Sequence, residues 1–390
     1  MKKILFVIPS SQIGGITTSL QSIIDNLNND DYDIRIFAIT HHQGCEITYR
    51  NILLPEDKLL SSYWCIYKRE PYGRRIQFLG MKILKQLALR FGWPLEDWLF
   101  VRAMKRLESN FDFDTIIAFS EGATTKFVSY TTYPKKIAWI HSNYNVSFPD
   151  YSFDESTIYN KYDRIVNVSK YTNGCFISRY SSLEKKCAVI YNLLDVKRII
   201  QLSKEEIRDS IFANSKDKFV ILSVGRVCQV KQYSKIPEIV SKVLIEHPNI
   251  KWYIIGPLDS DSVEVSLLKE NIEKYNVKDN VILLGGKKNP YPYFLQANLL
   301  VSTSFSEACP MIFNEAKILG LPIVSTEFGS AYEFINDGVD GVITSLDNMP
   351  VVISKMINDV EFYKKIKESI RPECVMSNKD IIKQISDLLE

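Results

Sequence analysis

The sequence predicts an α/β protein made of two units, each a largely parallel sheet with helices on both faces. Three observations carry that prediction. Short apolar runs alternate with helical patterns along the chain. The alternation stops in a polar, helix-rich interval and restarts near Lys218. At 390 residues the chain is long for one core and suits two domains of under about 200 residues each.

The first strand is "KILFVIP". Two lysines followed by an apolar run open the chain as an export signal would, but Pro9 ends the run before a signal core or membrane span is complete. Five more strands follow in the first half: "YDIRIFAIT", "DTIIAFS", "KIAWIHS", "DRIVNVS" and "CAVIYN". The second half reads "FVILSVGR", "IKWYIIGP", "NVILLGG", "NLLVSTS" and "LPIVST", with helical stretches at 234–247 and 263–275. A hinge near residues 193–215 divides the chain into domains 1–195 and 196–370, and residues 371–390 hold a last helix. Its apolar face is predicted at Ile381, Ile382, Ile385 and Leu388. No run of about 18 apolar residues occurs, so no spanning helix is expected. Ligands of such sheets bind beyond the carboxyl ends of the strands, so two facing units imply a cleft between them.

Composition narrows the class without naming the activity. With 46% apolar and 24% charged residues the chain has material for cores and no sign of extended disorder. A formal net charge of +2 says nothing by itself about a polyanionic partner, and no nucleic-acid partner is expected. Seven cysteines, an odd number without a CxxC pair, fit free thiols in a reducing cytoplasm.

Three strand ends carry candidate chemistry. After the first strand, Gly14 and Gly15 precede a helix; paired glycines admit a ligand close to backbone amides, and the helix start favours negative charge. The same pair also fits a tight turn needing positive φ. After "ILSV" come Gly225, Arg226 and then Lys231, a guanidinium and an ammonium able to grip neighbouring phosphates, or a solvated loop. After "NLLVSTS" the chain reads "FSEACPMIFNEAKILGLPIV", where Pro310 suits a first helical turn. Glu307 then lies in the loop and Glu315 in the second turn, roughly 8–12 Å away given the helical rise. That is too far to share a proton or a metal ion, and exceeds the separation of about 5 Å in a retaining glycoside hydrolase. It suits two acceptors for hydroxyls at the ends of a long ligand with an anionic middle. A nucleotide sugar has that order: ribose diol, diphosphate, sugar diol.

On these residues the chain resembles the family 4 retaining glycosyltransferases, whose GT-B fold sets two Rossmann-like domains face to face. The matching pieces are the two glutamates eight positions apart, "EAKILGLPIVST", "VSTSFS", Gly14 with Gly15, "VGR" with Lys231, "IAWIHSNY" and "YDRIVNVSK" through "VIYNLLD". Together they cover most of residues 1–345. The resemblance implies that Glu315 binds the ribose hydroxyls and Glu307 those of the donor sugar. It implies that Arg226 and Lys231 neutralise the diphosphate, with the Gly15 amide opposite, and that His141 contacts the donor sugar near the reacting carbon. Ala308, Cys309, Pro310 and Met311 would line the donor site between the glutamates. Many members have glycine at the position of Ala308, and an aromatic residue, glycine or leucine at that of Cys309, so donor choice can differ here. Cys309 reads as a packing or backbone-positioning residue, since no base stands beside it in sequence.

No metal and no cofactor is expected. "DFD" at 112–114 and "DSD" at 259–261 spell a metal-binding signature of another glycosyltransferase fold, but the first precedes a strand and the second sits in a polar loop. Arg226, Lys231 and helix amides supply the positive field instead. The reading is a cytoplasmic enzyme of bacterial surface polysaccharide or glycolipid synthesis, with UDP-linked donors favoured by family frequency. A nucleotide-sugar 2-epimerase, a non-catalytic nucleotide-sugar-binding protein and a phosphorylase are the alternatives. Residues 61–106 add a partner: ten basic residues against three acidic ones, interleaved with aromatic and leucine side chains, fit contact with anionic lipid or a solvated helical face.

Overall fold

A computed structural model describes residues 1–11, 14–27, 30–41, 52–64, 72–148, 155–207, 218–259, 262–371 and 377–390; within 72–75 only the backbone is described. Two compact units result: 1–193 with 379–390, and 194–378.

The first unit holds a six-stranded parallel sheet in the order β2-β1-β3-β4-β5-β6. Its strands are β1 (Lys2–Ser10), β2 (Tyr32–Thr40), β3 (Thr115–Ala118), β4 (Lys135–Ile140), β5 (Arg164–Asn167) and β6 (Cys187–Val189). Ile4 through Ile8 are all fully buried, as a strand covered on both faces requires. The second unit repeats the scheme with β7 (Phe219–Val224), β8 (Ile250–Ile255), β9 (Val281–Gly285), β10 (Leu299–Ser302), β11 (Ile323–Thr326) and β12 (Val342–Thr344). Its order is β12-β11-β10-β7-β8-β9, again parallel throughout. The chain runs from β7 out to β9, then returns to lay β10 on the other side of β7. The β7/β10 boundary is therefore the switch point, where the loops leaving two adjacent strands diverge to opposite faces.

Several expectations shift in detail. Helix 234–247 narrows to Ile236–Val243: a 3-10 turn at Tyr233–Lys235 takes its start, and the helix is capped at Leu244. Pro310 is not in the first helical turn: it caps a helix that starts one residue later, Met311–Ile318. The last helix, Asn378–Leu389, buries Ile381, Ile385 and Leu389 against the first unit, whereas Ile382 and Leu388 are only half-buried. The four-residue step from Ile381 to Leu389 is straighter than the predicted face, so Leu389 takes the place given to Leu388. Lys2 Nζ ties the helix end by donating to the carbonyls of Leu389 (3.3 Å) and Glu390 (3.0 Å). β12 was not expected: three residues are too short to display alternation. Among the described residues no helix is long and apolar enough to cross a membrane.

Candidate functional site

The second unit assembles the site from the loops that leave β7, β8 and β10. Gly225 follows β7 with φ +149°, a conformation open to glycine alone; a Cβ there would stand 3.1 Å from both Lys231 Cε and the Tyr233 hydroxyl. Gly256 follows β8, and a Cβ on it would come within 1.8 Å of the Gly225 carbonyl oxygen. The two glycines let adjacent strand ends close together, which folds the Lys231 stem back across Gly225. The 3-10 turn ends at Gln232 in the left-handed region (φ 50°), reversing the chain so that Tyr233 is buried beneath it. Thr303 Oγ1 donates to the Lys231 carbonyl at 2.6 Å and Phe305 N–H to the Val230 carbonyl at 3.0 Å, joining this turn to the loop after β10.

Lys231 Nζ consequently forms an ion pair with Glu307 Oε1. Ser304 Oγ donates to the same oxygen at 2.8 Å, and Ser330 Oγ donates to the Glu307 carbonyl at 2.7 Å. Both partners are half-buried, with side-chain exposures of 19% and 16%, so the pair is weakly screened. Val224, Tyr233, Ser302 and Ile312 line a small recess beside Lys231. Arg226 is exposed, and no described side chain pairs with it. Ala308, Cys309 and Met311 are half-buried and Pro310 is buried. Helix Met311–Ile318 has neither a side-chain cap nor an acidic residue in its first turn, so nothing in that turn opposes an anion at its free amides.

Glu315 sits in that helix, with the Tyr291 hydroxyl donating to its Oε1 at 3.2 Å. Burial pushes its carboxyl up to about 7, against the smaller downward pull of the Tyr291 hydroxyl and the Lys231 charge. Though the residue keeps some exposed surface, withdrawal of its carboxyl from water is the largest influence on its ionisation.

The first unit carries the remaining predicted residues. Gly14 and Gly15 are exposed at the start of helix Gly15–Asn26, and a Cβ on either would meet nothing within 4 Å. Gly14 has φ −172°, extended backbone open to any residue, and Gly15 is not among the positive-φ glycines; the tight-turn reading is thereby overturned. Gly14 N–H donates to Thr17 Oγ1 at 2.8 Å and Thr17 Oγ1 back to the Gly14 carbonyl at 2.9 Å, which fixes the helix entry. His141, one residue past β4, donates its backbone N–H to Glu121 Oε2 at 2.9 Å, and its ring lies 4.5 Å from that of Phe119. Burial lowers its pKa to about 3, so the imidazole is neutral, and Nε2 has no hydrogen-bond partner among the described residues.

Of the two D-x-D sequences, Asp114 accepts from the Lys3 N–H at 2.8 Å at the amino end of the first sheet, a structural bond. Residues 260–261 of the other lie outside the described residues. Ser304, Ser330 and Tyr291 were missed in the sequence. Only Ser304 had a signal there, three residues before Glu307; the other two reach their glutamates through the fold.

Comparison with known proteins bears on this site. Residues 203–371 match the family model of glycosyl transferases group 1. An uncharacterized glycosyltransferase of Methanocaldococcus jannaschii is 27% identical over 289 residues, 70% of this chain and 69% of that protein. A Campylobacter jejuni N-acetylgalactosaminyltransferase, named for a diphospho-undecaprenol acceptor, is 26% identical over 64% of this chain and 65% of its own length. The crystal structure of Anabaena HepE in complex with UDP-glucose superposes over all of this chain and 99% of its own, with a TM-score of 0.71 at 17% identity. The second unit thus carries the group 1 glycosyl transferase pattern, on a chain whose two parallel six-stranded sheets have the GT-B fold.

Proposed function

We propose that the chain is a retaining, metal-independent glycosyltransferase that moves a sugar from a nucleoside-diphosphate donor, UDP-linked by preference, to a glycan or lipid-linked acceptor. Its setting is bacterial surface polysaccharide or glycolipid synthesis on the cytoplasmic face of the membrane, where the chain attaches peripherally. The observation that carries this reading is the Lys231–Glu307 pair at the β7/β10 switch point with Glu315 on the following helix, all inside the group 1 match. The HepE complex with UDP-glucose and the undecaprenol acceptor of the Campylobacter relative support the donor and acceptor classes. Retention is supported by the resemblance of the glutamate stretch to family 4 alone.

Glu315 takes the ribose hydroxyls and Glu307 those of the donor sugar, with Ala308, Cys309, Pro310 and Met311 between them. As the bond from sugar to diphosphate breaks, negative charge grows on the leaving oxygen. Arg226, Lys231 and the amides of helix Met311–Ile318 oppose it, with the Gly14–Gly15 amides assigned to the same anion. Before the donor arrives, Glu307 neutralises Lys231 and keeps both side chains in place. The diphosphate then competes for the ammonium and releases the carboxylate to sugar hydroxyls, so one event prepares both groups. His141 offers a neutral Nε2 to the donor sugar, a role for an imidazole that burial keeps uncharged.

A thermal-shift series with UDP, GDP, ADP and dTDP tests the donor class, since a bound nucleotide stabilises by an amount set by its concentration over its dissociation constant. UDP is expected to raise the melting temperature most. No shift with any nucleotide would defeat the reading, and donor turnover without an acceptor would favour an epimerase. The anomeric configuration of the product, read by NMR, tests retention.

A further inference from the structure

Helix Tyr72–Phe91 of the first unit has a face that glycosyl transfer leaves unexplained. It turns Phe78, Met81 and Ala88 inward. Ile76, Leu79, Ile83, Leu87 and Phe91 stand exposed instead, Ile76 at 68% and Phe91 at 77%. Steps of three and four residues stack these five into one ridge, roughly 150° around the helix from the buried stripe. An amphipathic helix would carry polar residues there. This one is apolar inside and outside, with cations between.

Its charges indicate what covers the ridge. Over its 20 residues the helix has five basic residues and no acidic one. Lys82 and Arg90 are exposed beside the ridge, and Trp93 and Trp98 stand exposed just beyond the helix end. Other cations in the region are engaged: Lys85 Nζ lies 4.3 Å from the Tyr63 ring centroid, and Arg102 pairs with Asp57 at 2.9 Å with Arg106 at 3.7 Å. The basic surplus counted from sequence is thus partly spent within the fold, and Lys68 and Arg69 lie outside the described residues. A second copy docking ridge to ridge would set this acid-free helix against itself, like charge on like. Anionic headgroups answer the cations while the ridge enters the acyl boundary and the indoles sit at its edge.

We propose that the Ile76–Phe91 ridge lies on the surface of an anionic lipid bilayer, with Lys82 and Arg90 on the headgroup phosphates. This locates the peripheral attachment offered above, and it uses no feature of the donor site. The full chain is floated with vesicles of phosphatidylglycerol and phosphatidylcholine, and with phosphatidylcholine alone, at low and high salt. Co-flotation with the anionic vesicles at low salt is expected, weakened by Lys82→Glu with Arg90→Glu. Ile83→Asp with Leu87→Asp should reduce it by about tenfold or more. Both pairs are exposed, so thermal unfolding should be unchanged, and stabilisation by UDP should persist. Loss of UDP binding in the wild type would strike the donor reading and leave the ridge standing. Wild-type chain that stays out of the anionic vesicle fraction would overturn the proposal, as would flotation unchanged in the aspartate variant. A lipid-free dimer that the aspartate variant converts to monomer would assign the ridge to a second copy instead.

Discussion

Glu315 is held between two demands. An acceptor for ribose hydroxyls works best ionised, yet burial lifts its folded pKa to about 7 from 4.5. A raised pKa means the folded state binds the proton more tightly, so this group favours folding below about 4.5 and loses that contribution as pH rises through about 7. Donor binding has the opposite slope: affinity for an intact nucleotide sugar should rise between pH 6 and pH 8, by at most about tenfold. Calorimetric titration across that range checks it, and Glu315→Gln should flatten the profile. Glu315→Ala should cost UDP affinity about 1.5–3 kcal/mol, the worth of a hydrogen bond to a charged group. Glu307→Ala should leave UDP affinity undiminished, because it frees Lys231 for the diphosphate, and should instead reduce turnover. Equal losses of UDP affinity in both variants would refute this division. The two glutamates were legible because only seven residues of loop and helix separate them, a span that local geometry governs. The Lys231–Glu307 contact was not, because its partners are 76 residues apart and meet only when β10 lands beside β7.

At the scale of elements, the ends of β7 and β8 leave no room for a side chain at Gly225 and Gly256. Gly256→Ala would push a Cβ into the Gly225 carbonyl and should destabilise the second unit by about 3 kcal/mol, measurable by denaturant unfolding. Gly225→Ala should destabilise the unit as well, since its φ of +149° suits glycine, and it should also lose activity, since its Cβ would press the Lys231 stem away from Glu307. Most of the main strands were readable because they are short apolar runs closed by glycine, proline or serine, as at Pro9, Ser120 and Gly225. β12 escaped notice, since what fixes it is long-range packing: a Cβ on Gly341, just before it, would stand 2.9 Å from the Ile323 carbonyl oxygen. Helix Tyr72–Phe91 was read as cationic and aromatic, but the sequence alone could not say which apolar residues face out, because both of its sides are apolar.

For the molecule as a whole, the proposed positive field makes a measurable claim: activity should persist in excess EDTA, whereas Arg226→Ala should lower the rate by about two orders of magnitude or more, through charge that develops in the transition state. Inactivation by chelator with recovery on adding manganese would refute metal independence. Removing residues 377–390 should lower the melting temperature by several degrees, since Ile381, Ile385 and Leu389 each bury about 1.5–3 kcal/mol of apolar side chain. That helix also dictates an order of events on the ribosome. Residues 379–390 complete the first unit, yet they are translated only after the whole of 194–378. The nascent first unit must therefore wait with the seat for Ile381, Ile385 and Leu389 unfilled, while a second, separately closing unit is made. Domain-by-domain maturation from the amino end cannot run to completion here; residues 379–390 finish what the first strand began, and only after 194–378 have been made.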